Sequence, residues 1–196
     1  MSLRAAAAAL GLALSSTAAF AAGPGMVPGA YVGVNAGIGA TNFVDEVYSY
    51  YGGMANGASV GAQIGYNLAV GSLIVGVEAD GSWNAQSGPS QWSSTYYTDW
   101  QASLRGRLGW NAGYFSPYIT AGVATGSVRM VYAGDTYGFT PVGWTVGLGG
   151  EMALNQKTSV RLELRHTDFG TQPYDTYLEH VTDDSVRLGF NFRLGS

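Results

Sequence analysis

The residues able to carry reaction chemistry are few. The chain has two histidines, His166 and His180, and no cysteine. Without cysteine there is no thiol nucleophile, no disulfide framework and no Cys-based metal site. Hydrolysis by an activated side chain needs a nucleophile beside a base that an acid orients. His166 is followed by Thr167 and Asp168, with no suitably spaced serine. No enzyme, cofactor or metal centre is therefore predicted, and neither histidine is singled out as a haem ligand.

The informative set is ionic. Glu78, Asp80, Arg105, Arg107, Glu151, Arg161, Glu163, Arg165, Arg187 and Arg193 sit at alternate positions within short apolar stretches. Six of the nine Lys/Arg residues belong to it. If their shared face is an enclosed lumen, these charges must pair, because an unpartnered buried charge costs several kcal/mol. They then form either a salt-bridged plug or the lining of a narrow selective pore. A third group comprises Asp45, Glu46, Asp99, Asp135, Asp168, Asp175, Glu179, Asp183 and Asp184, with Tyr48, Tyr50, Tyr51, Tyr96 and Tyr97. These read as solvated connector residues. The sharper alternatives are weak Ca²⁺ or Mg²⁺ binding near lipopolysaccharide and tyrosine-mediated contact with a partner.

The elements that must position these residues are strands, since apolar and polar residues alternate with period two. Val32, Val34, Ala36 and Ile38 share one face, as do Val60, Ala62, Ile64, Tyr66 and Leu68. Leu73, Val75, Val77, Ala79 and Trp83 oppose Glu78 and Asp80; Trp100, Ala102, Leu104, Leu108 and Trp110 oppose Arg105 and Arg107. The pattern continues through Ile119–Val123, Val142–Met152, Val160–His166 and Val186–Leu194. That makes eight strands of about the 9–11 residues that a tilted membrane strand needs.

Long connectors, near 41–56, 84–99, 129–141 and 168–184, alternate with short ones near 69–72, 111–116 and 154–157. Short periplasmic turns and long outer loops belong to up-and-down barrels of the outer membrane. The rival is a soluble lipocalin-like barrel with its apolar face inward. Aromatics at both ends of the apolar face decide against it: Tyr66, Trp110, Phe190 and Phe192 near the short turns, and Trp83, Trp100 and Trp144 toward the long loops. Two such girdles match the two membrane interfaces. Composition agrees, with charged residues at 11% against roughly 25% in an average globular protein. Net charge is −4 without a basic run, so nucleic acid is not an expected partner.

Arg4, the apolar stretch Ala5–Leu14 and Ala19-Phe20-Ala21 have the three parts of an export signal cleaved after Ala21. The expected organisation is a signal peptide at 1–21, a periplasmic lead at 22–29 and a barrel at 30–194.

The runs Trp100–Gly109, Pro117-Tyr118 with Gly122, Gly143–Glu151, Arg161–Arg165 and Val186–Arg193 resemble the small porin-family outer-membrane β-barrel proteins. These are also called outer-membrane immunogenic proteins and are related to the OmpA-like eight-stranded barrel. The resemblance covers nearly all of the chain after the export signal and implies a surface-exposed, non-enzymatic membrane protein; some relatives are described as porins and some as haem binders. That family usually ends on an aromatic residue read by the barrel-assembly machinery. Here Leu194 takes that place and Gly195-Ser196 follow, which shifts the expected recognition to Phe190 and Phe192.

The expectation is an all-β, eight-stranded antiparallel up-and-down transmembrane β-barrel in a bacterial outer membrane, a surface-exposed structural protein with a salt-bridged lumen. Its expected partners are outer-membrane lipid, lipopolysaccharide and the assembly machinery. A narrow porin for small solutes or ions is the alternative, followed by loop-mediated binding of haem, a cation or a host surface.

Overall fold

The structure is a computed structural model that describes residues 26, 28–45, 50–89, 94–132, 134–174 and 177–194. The signal peptide expected at 1–21 and most of the lead expected at 22–29 lie outside the described residues. The strands are β1 (Gly29–Asp45), β2 (Tyr50–Val70), β3 (Leu73–Pro89), β4 (Thr95–Trp110), β5 (Phe115–Tyr132), β6 (Asp135–Phe139), β7 (Val142–Ala153), β8 (Thr158–Tyr174) and β9 (Tyr177–Arg193). The hydrogen-bonded order runs β4-β3-β2-β1-β9-β8-β7-β5, and β4 also pairs with β5. This last pairing closes an eight-stranded barrel, leaving no free edge around the wall. Closure lets every wall strand satisfy its backbone polar groups inside lipid.

β6 is a ninth strand that the period-two reading missed. It pairs with β5 alone and stands above the wall as half of a hairpin.

Burial shows which way the wall faces. Apolar residues at the predicted positions point outward and are exposed, among them Val34, Ile64, Leu104, Ile119 and Leu148. The charged residues opposite them are buried: Glu78, Arg105 and Glu163 are each 1% exposed. A water-soluble domain has the reverse arrangement. The outward face is therefore a lipid face, and the seven girdle aromatics all lie exposed on it, Trp83 at 74%. Trp83 and Trp100 are direct cross-strand neighbours, as the outer girdle requires.

The long connectors are corrected. Most of residues 41–56, 84–99 and 168–184 are strand, not loop. β3 reaches its outer girdle residue at Trp83 and then continues to Pro89. The ladder continues because each outer hairpin keeps pairing with its partner beyond the bilayer. Short turns close the other end. Val70 faces Leu73 across two residues, and Gly71 takes the left-handed φ of 63° that two-residue hairpins favour at their first position. This polarity predicts that Ser87→Cys reacts with a membrane-impermeant thiol reagent on intact cells, whereas Asn155→Cys does not. The opposite labelling pattern would invert the barrel in the membrane.

Candidate functional site

Followed outward from the short turns, the lumen is filled in four layers. On β3 the inward residues are Ile74, then Glu78 and Asp80, then Gln86; on β4 they are Gly109, then Arg107 and Arg105, then Thr98 and Tyr96.

The first layer is small and apolar: Met26, Ile74 and Tyr118.

The second layer is ionic. Arg105 is held by Glu78, by Asp80 at 3.1 Å and by Glu163 at 2.7 Å. Asp80 also takes Arg165 at 2.9 Å and Arg187 at 3.4 Å. Glu163 takes Arg165 at 2.9 Å and the Tyr118 hydroxyl at 3.0 Å. Glu78 accepts from Arg161 and, at 2.7 Å, from the Tyr31 hydroxyl. Glu151 binds Arg107 at 2.8 Å and accepts from Asn191 at 3.1 Å. Arg107 lies 4.1 Å from the Tyr118 ring centre, a cation–π contact in addition to its ion pairs. Glycines make room for these side chains. Tyr118 faces Gly149 across the β5–β7 pair, and a Cβ at Gly149 would stand 2.5 Å from the ring.

Nine of the ten sequence-derived charges thus meet in one connected layer. Arg193 is the tenth. It stands at the rim of the short-turn end, joined to no carboxylate among the described residues.

The third layer is polar and uncharged except for Asp183. Thr41 Oγ1 lies 2.8 Å from Gln86 Oε1 and 2.9 Å from Asp183 Oδ2. The fourth layer is apolar, comprising Phe43, Ala55, Tyr96, Ala124, Val128, Phe169 and Val181, with Met130 and Phe139 against it. Phe43 and Tyr96 stack with ring centres 4.0 Å apart, and the Tyr96 hydroxyl donates to Glu179.

Three of the residues read as solvated connectors are corrected. Glu179, Asp183 and Tyr96 are buried in the lumen, because β9 and β4 extend far past the girdle. Counting back from Arg187 through Ser185 would have placed Asp183 and Glu179 inward. With them, six lumenal acids among the described residues (Glu78, Asp80, Glu151, Glu163, Glu179, Asp183) match the six arginines in number.

Other outer acids have protein partners on the outside of the wall. Asp99 holds Arg129 through two hydrogen bonds, and these keep its carboxyl below the usual carboxylate range. His166 Nδ1 lies 2.8 Å from Asp184 and His180 Nε2 lies 3.3 Å from Asp168. Asp45, Glu46, Asp175, Tyr48, Tyr50 and Tyr51 have side chains outside the described residues. No group of three or more His, Cys, Asp or Glu suited to a metal ion occurs among the described residues.

A closed antiparallel barrel with a lipid-facing apolar wall, two aromatic girdles and a charged interior defines an outer-membrane β-barrel protein. Residues 6–193 match the model of the outer membrane protein beta-barrel domain, and the chain belongs to that family. It is 32% identical over 133 residues to a 22 kDa outer membrane protein of Rhizobium leguminosarum bv. viciae, covering 66% of this chain and 63% of that protein. It is 30% identical over 139 residues to a 25 kDa outer-membrane immunogenic protein of Brucella abortus biovar 1, covering 68% of this chain and 64% of that protein. The chain thus spans slightly less than two thirds of the length of these relatives. Among solved structures, Neisserial surface protein A superposes with a TM-score of 0.58 at 16% identity, over 84% of this chain and 97% of that one. The protein resides in the outer membrane of a Gram-negative bacterium.

Proposed function

We propose that the barrel is a structural, surface-exposed outer-membrane protein whose lumen is closed and does not conduct. One observation carries this reading. In the wall order β3 and β8 are four strands apart in a ring of eight, hence opposite each other. Glu78 and Asp80 of β3 bind Arg161 and Arg165 of β8. The ion pairs therefore run across the lumen, not around it. An eight-stranded barrel is about wide enough for its side chains alone to fill.

The role proposed is non-enzymatic. The His166–Asp184 pair lies on the convex outer wall, 38% and 49% exposed, whereas catalytic groups converge in concave pockets. Lipid is met through the girdles, lipopolysaccharide at the outer leaflet, and the assembly machinery through the last strand. Phe190 and Phe192 support that last contact, since both are exposed on the outside of β9.

Purified, refolded protein in planar bilayers is expected to show little steady conductance. A large, well-defined and ion-selective conductance would overturn this reading and recast the same arginines as a selectivity ring.

A further inference from the structure

The periplasmic mouth holds a residue that does not come from the wall. Met26 precedes β1 and is fully buried. Its N–H donates to Ser116 Oγ at 3.0 Å, and it packs with Ile74 and Tyr118. Gly109 completes the seat, because a Cβ there would stand 2.5 Å from Met26 Sδ and 3.2 Å from its methyl carbon.

The parts of this seat come from β3, β4 and β5, whereas Met26 leads into β1. In the ring of eight, β5 is opposite β1, so Met26 sits against the wall facing the strand that it precedes. Ile74 is the one large apolar side chain on the inward face of β3. Left uncovered, it would face periplasmic water. Tyr118 bonds Glu163 and lies against Arg107, so Met26 sits directly beneath the ionic layer. Methionine suits such a seat, since its unbranched, polarizable chain fills irregular gaps.

We propose that Met26 is an internal stopper: it docks across the periplasmic mouth onto Ile74, Tyr118, Gly109 and Ser116 and shields the underside of the ionic layer there from periplasmic water and solutes. Its occupant is this chain's own Met26, and the seat is shaped for it by the missing side chain at Gly109.

The chain has no cysteine, so single-cysteine reporters are clean. Refolded Ile74→Cys, treated with a charged methanethiosulfonate reagent, should react at least tenfold more slowly than Ala112→Cys in the exposed turn. Adding Met26→Gly should raise the Ile74→Cys rate at least tenfold and leave the Ala112→Cys rate unchanged. Gly109→Ala should raise it as well, because the new methyl group displaces the Met26 thioether without altering any wall charge. Ser116→Cys serves as a second reporter should Ile74→Cys fail to fold, with fast migration of the unboiled protein in detergent gels as the folding check. If the buried reporter reacts as fast as Ala112→Cys with Met26 in place, or ignores Met26→Gly, there is no stopper. The readout is thiol reactivity, so its failure would leave the conductance reading untouched.

Discussion

Glu163→Ala is expected to destabilise the barrel by about 3–5 kcal/mol, the usual cost of breaking a buried pair from one side. Glu163 holds Arg105 and Arg165 with one oxygen and the Tyr118 hydroxyl with the other. Its removal leaves those two guanidinium groups sharing Asp80 and Glu78, in a layer where all of these side chains are almost wholly buried. The surplus positive charge cannot be relieved by hydration without opening the layer. Asp99→Ala is the comparator. It also breaks a carboxylate–arginine pair, but one with both side chains more than a third exposed, and such pairs contribute about 0–1 kcal/mol. Urea unfolding in lipid vesicles, followed by tryptophan fluorescence and by migration of unboiled samples, measures both. Equal small losses would mean that water reaches the lumenal charges and screens them. Steady conductance should stay low in Glu163→Ala, since apolar layers remain above and below.

How much of this was legible depends on where the wall meets lipid. Between the girdles the outside is apolar and the inside polar, so alternation alone assigns faces: Leu104 out, Arg105 in; Leu162 out, Glu163 in. Above the outer girdle the contrast inverts. There the outside meets water and the inside packs dry, so Phe43, Val128, Phe169 and Val181 turn inward, while Asn42, Arg129, Asp168 and Thr182 lie on the other face. A pattern that changes sign looks like the end of a strand, which is why these stretches read as loops.

Bulges compound the difficulty. On β4 the ladder shifts between Thr98 and Trp100, so inward positions change from odd numbers at Gln101 and beyond to even numbers at Thr98 and Tyr96. Simple counting from Arg105 would have placed Tyr97 inside. Gly170 marks a similar shift on β8, with a φ of 67° beside the break between Asp168 and Thr171. The stopper was hidden for another reason. Met26 belongs to no alternating stretch, and its partners lie on strands far away in sequence.

The inversion itself carries the last prediction, Phe43→Ala, which tests whether the outer lumen is dry. Phe43 is fully buried and stacked on Tyr96, which in turn bonds Glu179. Truncating a buried phenylalanine costs about 3–5 kcal/mol, because the cavity adds to the lost transfer energy. Part of that loss, about 0.5–1.5 kcal/mol, belongs to the aromatic pair itself. Phe43→Leu keeps most of the volume but loses the stacking, so its cost should fall clearly below that of Phe43→Ala. This gap between the two variants is the signature of a packed layer, since a water-filled mouth would solvate the truncated site and make both losses small. Trp83→Ala removes a larger ring that is 74% exposed on the outer wall. It leaves no enclosed cavity and should cost less than Phe43→Ala. Losses below about 1 kcal/mol for Phe43→Ala would show a wet outer lumen and leave the ionic layer as the main barrier beneath it.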